Sequence, residues 1–384
     1  MQSFPIKDIP QNSYFTKPVF LDGRFILTVP EIPFSNSLRK ALLEWEFREV
    51  QSDGIPQAMY SGVALESEQD LTEEITEIEV KNISDRDKLL WITEFYQKFL
   101  LYVETLFTRY TTKNEINFKD VADKIKELCD VVKEDRRFLL RVELPQSKNQ
   151  NFLAFHTVKS TIIAVIIGSY LKLPNHRLIE LGVASLLHEI GMLKLPPQLY
   201  MSNRPLNPQE RKAILTHPIL SYNILKKLDF PLSICVGALE HHERENGEGY
   251  PQKLKSDRIS LYAKIIGVAC SYEALTALRP YKDAKDGYTG MIDLLKNVGQ
   301  QYDDTIVRAL VYSLSIYPIG LYVLLSNNKR GQVVDVNPEN PRYPIVQIFG
   351  EKTPDGKNKT IETTQDGVHI IRPLIKEEVG TIQE

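Results

Sequence analysis

The chain of 384 residues has few cysteines, and their spacing excludes a disulfide framework. There are three, an odd number, and they are widely separated at Cys129, Cys235 and Cys270. Secreted domains that depend on disulfides carry more cysteines at closer spacing, so the sequence favours a reducing compartment. The opening MQSFPIKDIP also lacks a basic segment followed by an apolar one. The sequence therefore predicts a cytoplasmic protein without a signal peptide.

Long apolar runs and an excess of one charge are also missing. The longest apolar run, residues 161–171, is too short to span a bilayer and predicts a buried helix rather than a membrane segment. Lys and Arg number 47 and Asp and Glu number 50, which gives a net charge of −3. This balance argues against a broad surface for nucleic acid polymers. With 42% hydrophobic and 25% charged residues, the composition is that of a globular protein.

The order of the sequence patterns predicts a mainly α protein in five parts. Residues 1–60 combine short β-like runs with one helix-like run, which indicates a small α+β regulatory module. Residues 61–88 are rich in Asp and Glu and poor in aromatics, which favours a solvated acidic linker over a docking surface. Residues 89–149 form a helical connector, 150–318 a helical bundle with Pro, Asn and Gly breaks, and 319–384 a β-rich tail with period-two runs.

The predicted connector has two interpretations. Its two amphipathic helices carry apolar residues at spacings of three and four. Such helices form either a dimerisation stalk or the first helices of the domain that follows, and the sequence does not distinguish the two.

The acidic linker is expected to be the region most sensitive to proteases, because exposed polar connectors are preferred cleavage sites. Limited proteolysis with mass spectrometry should therefore cut first within residues 62–88 and release residues 1–60 as a separate fragment. First cuts within residues 170–310 would contradict this boundary.

Histidine is scarce, and of the six histidines that lie in the predicted bundle between positions 156 and 242, five are candidates for a site. A lone histidine in a core is usually a satisfied structural residue. Five in one bundle favour a metal centre, because bundles build metal sites from side chains on facing helices. The candidates are His156, His188, His217, His241 and His242. We interpret the other two, His176 and His369, as structural or surface residues.

The spread of these histidines resembles the HD-GYP branch of the HD phosphohydrolase superfamily, whose members commonly hydrolyse cyclic di-GMP. The matching motifs are HHERENGEGYP at 241–251, ALTALRPY at 274–281 and NRPLNPQERKAILTHP at 203–218. The resemblance covers residues 150–318 and implies an HD-type helical bundle with one or two divalent metal ions, of Fe, Mn or Zn. It implies cyclic di-GMP or a related nucleotide as ligand, and it leaves open a GGDEF-type partner protein and a homodimer.

By this resemblance the metal ligands form two sets that share one carboxylate. One set would be His156, His188, Glu189 and Cys270, and the other would be Glu189, His217, His241 and His242. Glu189 would be the bridging and catalytic residue. Tyr250, in the GYP loop, would face the ligand or a partner. Arg279 would either bind a phosphate or form a salt bridge at a helix end.

Four positions depart from the family pattern. Glu189 and Cys270 replace two ligand aspartates, and Met192 replaces the lysine that follows the His-Asp pair by three positions. Cys270 is either a thiolate ligand that favours zinc or ferrous iron, or a small buried hydrophobe. Phe152 replaces a glutamate of three-metal members, which indicates two metals at most. Lys194 can replace the lost lysine only if the helix has ended before it.

These departures leave two functions open. The retained histidines and the GYP loop favour a metal-dependent phosphodiesterase acting on cyclic di-GMP, with two metals and turnover. The combined departures at 189, 192 and 270 favour a catalytically inactive module that binds the nucleotide or a partner protein, with one metal at most.

Overall fold

A computed structural model describes residues 85–142, 151–201, 204–277, 286–374 and 378–379, together with most of 2–57. Within the last range, the residues not described are 11–12, 18, 21–25, 29–33, 35–38, 40–41 and 44–47. The chain divides into two compact units, Met1–Ile83 and Ser84–Glu384. Most of the predicted acidic linker lies outside the described residues, and the division into five parts stays a prediction.

The first unit contains two small antiparallel sheets. Its strands are β1 Gln2–Pro5, β2 Tyr14–Phe15, β3 Val19–Phe20, β4 Ile26–Thr28, β5 Glu49–Ser52 and β6 Pro56–Gln57. One sheet has the order β1-β5-β3-β4, and the other pairs β2 with β6. In β5, Val50 and Ser52 are buried and Glu49 is exposed, which is the alternation of a strand with one buried face. The helix-like run predicted within residues 1–60, at 35–47, lies largely outside the described residues.

Helices dominate the second unit, and two 3₁₀ turns, Ile190–Lys194 and Ser256–Arg258, interrupt them. The helices are α1 Asp85–Lys113, α2 Phe118–Leu139, α3 Phe152–Tyr170, α4 Asn175–Leu187, α5 Gln198–Met201, α6 Pro208–Ile214, α7 His217–Lys227, α8 Leu232–Glu240, α9 Leu261–Thr276, α10 Gly287–Lys296 and α11 Asp304–Leu314.

Helix α3 is the central helix of this bundle, because it is apolar on almost every side. It contains residues 161–170 of the apolar run, most of which are buried as predicted. By length and composition alone, α3 is the one helix in the described part of the chain that could cross a membrane. However, 83% of its apolar window is buried inside the protein, as in the core helix of a globular domain.

Helices α1 and α2 share a hydrophobic core with the helices that follow them. Phe99 of α1 and both Ile125 and Leu128 of α2 are fully buried in the core that also contains α3 and α4. This packing favours the interpretation of α1 and α2 as the first helices of the domain.

A five-stranded antiparallel sheet ends the second unit, in the order β10-β9-β8-β7-β11. Its strands are β7 Tyr322–Leu325, β8 Arg330–Asp335, β9 Ile345–Lys352, β10 Asn358–Glu362 and β11 Ile370–Pro373. Val323, Val333 and Val346 are buried in a small core of its own. The prediction of a mainly α protein with a small C-terminal β appendage is confirmed.

Candidate metal centre

Three of the candidate histidines lie at helix ends and are held by the same kind of hydrogen bond. His188 directly follows α4, His217 begins α7 after a gap of two residues from the end of α6, and His241 directly follows α8. In each ring, Nδ1 contacts a carbonyl oxygen in the last turn of a helix, where carbonyls have no partner within the helix. These oxygens belong to Ser185 at 2.5 Å, Ile214 at 2.7 Å and Ala238 at 2.8 Å. With Nδ1–H donating to a carbonyl, Nε2 is left as the ligand atom.

Glu189 lies between the histidines and presents one carboxylate oxygen to each side. Its Oε1 is 3.8 Å from Nε2 of His156 and 3.7 Å from Nε2 of His188. Its Oε2 is 3.5 Å from Nε2 of His217. These distances are too long for hydrogen bonds. They suit two ligands of one ion, because ligand atoms about 2.1 Å from a tetrahedral ion lie roughly 3.4 Å apart.

The ligand atoms form two groups, and within each group all of them lie within 4.8 Å of one another. Group A consists of His156, His188 and Cys270, and group B consists of Glu189, His217, His241 and His242. In group A, Cys270 Sγ is 3.1 Å from Nε2 of His188. In group B, the Nε2 atoms of His217 and His241 are 3.3 Å apart. The structure thus brings together the two predicted ligand sets, with Glu189 between them.

The surroundings of the Glu189 carboxylate indicate whether a cation fits this cluster. The residue is 8% exposed, and among the described residues nothing donates a hydrogen bond to its Oε2. A buried carboxylate oxygen without a partner costs free energy, and a bound cation would remove that cost. The cluster could therefore hold a divalent metal, with imidazole, carboxylate and thiolate donors.

The protonation states of group B suit a metal site. Burial, together with the neighbouring imidazoles, lowers the pKa of His241 and of His242 well below the usual value, so both rings are neutral ligands. Burial alone would raise the pKa of Glu189, but His217, His188 and His156 lower it to about 2. The carboxylate is therefore ionised at neutral pH.

In group A, the charges of neighbouring side chains oppose the effect of burial on each pKa. Burial would raise the pKa of Cys270, but His188 and His156 lower it to about 6. Burial acts to lower the pKa of both histidines, but Glu273 raises it for His156 and Cys270 raises it for His188. A metal in group A must therefore displace protons, whereas Glu189, His241 and His242 of group B are already in their binding forms.

The helical unit is similar to known proteins over the region that carries this cluster. A family model described as an HD domain matches residues 139–306. The cyclic di-GMP phosphodiesterase PdeB of Borreliella burgdorferi is 31% identical over 199 residues, which cover 52% of this chain and 52% of that protein. Residues 139–306 of this chain are therefore called its HD domain, after the family model that they match.

Two further proteins resemble the HD domain of this chain. A cyclic di-GMP phosphodiesterase of Pseudomonas aeruginosa is 29% identical over 231 residues, covering 60% of this chain and 55% of that protein. Among solved structures, an HDG"Y"P protein from Bdellovibrio bacteriovorus has a TM-score of 0.49 and 14% sequence identity, covering 80% of this chain and 97% of that one. The chain spans about half the length of the curated relatives it matches.

The cluster of the HD domain opens into a cavity of about 570 Å³. His156, Glu189, His217 and His242 line it on the cluster side. Tyr250 also lines the cavity, and its ring stacks on His242 with centroids 4.5 Å apart and an interplanar angle of 18°. Burial raises the pKa of Tyr250, so its phenol stays protonated at neutral pH and can donate a hydrogen bond.

The loop that carries Tyr250 is closed by local contacts. The buried Glu243 carboxylate accepts hydrogen bonds from the main-chain N–H groups of Gln252 at 2.6 Å and Leu254 at 2.9 Å. A Cβ atom at Gly249 would lie 2.4 Å from the main-chain nitrogen of Arg244, so only glycine fits there without a shift of the backbone. These contacts fix the position of Tyr250 over the cluster.

The structure does not bring Lys194 to the cluster. Its ammonium donates a hydrogen bond to Asn114 at 3.0 Å and lies 4.7 Å from the ring centroid of Tyr110. Residues 190–194 form a 3₁₀ turn with three residues per turn. A shift of two positions from Met192 therefore points Lys194 away from the cavity and towards α1. Met192 itself lines the cavity.

Two other predicted positions have different outcomes. Arg279 lies outside the described residues, so its role stays a prediction. Phe152 lines the cavity and stacks on the His156 ring with centroids 6.0 Å apart, which places an apolar ring where three-metal relatives would have a carboxylate.

Glu273 is a site residue whose role the sequence did not reveal. It is 2% exposed, and its Oε2 contacts Nδ1 of His156. This carboxylate orients the His156 ring so that Nε2 faces Glu189, as carboxylates often do behind metal-binding histidines. The spacing contained a signal, because Glu273 follows Cys270 by three positions and therefore lies on the same helix face.

Gly191 and Ser221 hold the turn after Glu189 against α7. A Cβ atom at Gly191 would lie 2.2 Å from the main-chain oxygen of His217. The Gly191 N–H donates to the Ser221 hydroxyl at 2.9 Å, and that hydroxyl donates to the main-chain oxygen of His188 at 2.7 Å. The segment that carries two ligands is thus joined to the helix that carries a third.

Ser221→Ala is expected to lower the free energy of unfolding by about 1–3 kcal/mol, because it leaves a buried N–H and a buried carbonyl without partners. The control is Ser271→Ala, since among the described residues the one hydrogen-bond partner of the Ser271 hydroxyl is the carbonyl of Gly267 in its own helix. Its loss should cost about 0.5 kcal/mol or less. Denaturant unfolding would measure both changes. Equal losses in the two variants would show that Ser221 does not link the two segments.

Proposed function

We propose that the HD domain of this chain hydrolyses a phosphodiester bond of a cyclic dinucleotide, cyclic di-GMP in the first instance, with one or two ions of Fe, Mn or Zn in groups A and B. The observation that carries this proposal is the position of Glu189, whose two oxygens face the two groups. Bound divalent ions supply a water of lowered pKa and neutralise charge on the phosphate. The names of the two curated relatives support the choice of substrate.

The residues of the cluster and of the GYP loop would have different roles, which follow from their positions. The Glu189 carboxylate is ionised and buried, so it offsets the charge of the ions without competition from bulk water. His217, His241 and His242 would hold one ion as neutral ligands, and His156, His188 and Cys270 would hold the other. The Tyr250 phenol lies over His242, where it can donate a hydrogen bond to a phosphate oxygen of the ligand.

A second candidate is a module that binds the nucleotide or a partner protein without turnover. The observation that favours it is Met192, which places an apolar side chain in the cavity where the family pattern has a lysine. Without that charge the ligand could still bind, but the transition state would lose an electrostatic contact that raises the rate.

The test is metal analysis of protein purified without chelator, combined with chromatography of cyclic di-GMP after incubation with Mn²⁺ or Fe²⁺. The proposal expects at least one ion per chain and a linear product, both lost in Glu189→Ala. Binding of cyclic di-GMP without product would support the second candidate. Equal turnover by the natural chain and Glu189→Ala would contradict the assigned role of Glu189.

Three expectations from the sequence stay predictions alongside this proposal. They are a GGDEF-type partner protein, a homodimer and a cytoplasmic location.

A further inference from the structure

The cavity beside the cluster has positive charge at its mouth. Of the described lysines and arginines, the two that line it are Arg204 and Arg211. Both are exposed, whereas Glu189 and His217 on the cluster side are buried. A ligand that reaches from the cluster to these arginines therefore needs anionic groups at two separate places.

The two arginines differ in their partners. Arg204 forms a two-pronged pair with Glu210, with distances of 2.8 and 2.5 Å. Arg211 has no ion-pair or hydrogen-bond partner for its guanidinium among the described residues. Its charge is therefore free to bind a ligand.

The backbone that carries Arg211 is held in place. In helix α6, the Asn207 side chain accepts from the Glu210 N–H at 2.8 Å, and the Glu210 side chain accepts from the Asn207 N–H at 2.9 Å. This capping box starts the helix, and the main-chain N–H of Arg211 donates to Asn207 at 2.9 Å. The guanidinium thus extends from a fixed point on the cavity wall.

Arg211 matters for ligand binding because the lysine of the family pattern is replaced by Met192 in this chain. Met192 lines the same cavity without a charge, and the ammonium of Lys194 is bound to Asn114 elsewhere. Of the two described arginines that line this cavity, Arg211 is thus the one whose guanidinium N–H groups have no partner among the described residues. A guanidinium suits phosphate because it presents two parallel N–H groups to two oxygens.

We propose that Arg211 binds the second phosphate of a cyclic dinucleotide, the one that is not at the metal cluster. This inference rests on the proposed function and narrows it, because it makes the chain selective for ligands with two phosphodiesters over ligands with one. Tyr200 and Tyr250, which line the same cavity, provide aromatic faces on which bases can stack.

The test compares Arg211→Met with the control Lys212→Met. Lys212 is the next residue on the same exposed helix and carries the same charge, but it does not line this cavity. Cyclic di-GMP is the two-phosphate probe and bis(p-nitrophenyl) phosphate is the one-phosphate probe, both with Mn²⁺. Steady-state kinetics would report KM and kcat, and calorimetry would report Kd if no turnover occurs.

Arg211→Met should raise KM or Kd for cyclic di-GMP at least tenfold, with a much smaller change in kcat, and should affect the one-phosphate probe at least tenfold less. Arg211→Lys should recover part of the affinity, and Lys212→Met should match the natural chain. If the natural chain cleaves cyclic di-GMP and Arg211→Met binds it equally well, or Lys212→Met loses as much, the inference is overturned and the proposed function stands. If the natural chain neither binds nor cleaves cyclic di-GMP, both are overturned.

Discussion

His241→Ala is expected to remove one bound metal ion per chain and to lower the melting temperature of the protein. His241 is 1% exposed, and its ring is fixed by the carbonyl of Ala238 with Nε2 3.3 Å from Nε2 of His217. A ligand that binds only the folded state stabilises it by about 2.7 kcal/mol when its free concentration is 100 times Kd. For a chain of this size, that loss corresponds to a decrease of roughly 3–4 °C in the melting temperature.

Metal analysis by mass spectrometry and a thermal scan with and without chelator would measure this effect. The chelator separates loss of metal from loss of packing, because it should lower the melting temperature of the natural chain far more than that of His241→Ala. His176→Ala is the matched control, because His176 is exposed in the first turn of α4. This variant should keep its metal. An unchanged metal-to-protein ratio in His241→Ala would show that His241 does not bind the metal.

The triple change Glu189→Asp, Cys270→Asp and Met192→Lys is expected to raise the rate of cyclic di-GMP hydrolysis with Mn²⁺ or Fe²⁺ at least about tenfold, which corresponds to only ~1.4 kcal/mol of barrier. Cys270→Asp places a hard oxygen ligand beside His188, whose Nε2 is 3.1 Å from the sulfur. Met192→Lys places a charge in the cavity that Met192 lines, and a lysine stem can follow apolar surface to reach it.

The three changes should act together rather than singly. The Glu189 oxygens are already 3.5–3.8 Å from the nearest histidine nitrogens, so Glu189→Asp alone retracts the carboxylate from both groups. It should lose metal unless Asp at 270 compensates, since residues that act as a unit are not additive. Product chromatography would give the rates, and circular dichroism would confirm that each variant folds. If the natural chain is fast and the triple variant is slower, glutamate and cysteine form a working ligand set and the inactive module is excluded.

Residue identity explains how much of the site was readable from the sequence. The ligand chemistry of His217, His241 and His242 resides in the side chains themselves, and the GYP segment ties two of them to a known pattern. The helices were readable because apolar residues recur every three or four positions around the bundle core. The breaks between helices were also readable, as at Asn207 and Pro208, where α6 starts.

Contacts between distant elements were not readable in the same way. The direction of Lys194 depended on a 3₁₀ turn and on Asn114, which lies 80 positions earlier in the chain. The contact of Glu273 with His156 joins residues 117 positions apart. No sequence pattern singled out Arg211, which the structure places on the wall of the same cavity as Glu189.

The sequence by itself determined the ligand types, the helical class of the domain and the loss of the family lysine at Met192, because these follow from residue identity and local periodicity. Only the tertiary structure decided that Glu189 presents one oxygen to each ligand group and that Arg211, rather than Lys194, supplies positive charge to the cavity. The physical reason is that metal coordination and phosphate binding depend on distances of a few ångströms between side chains. Those distances are set by the packing of helices that lie far apart in the chain.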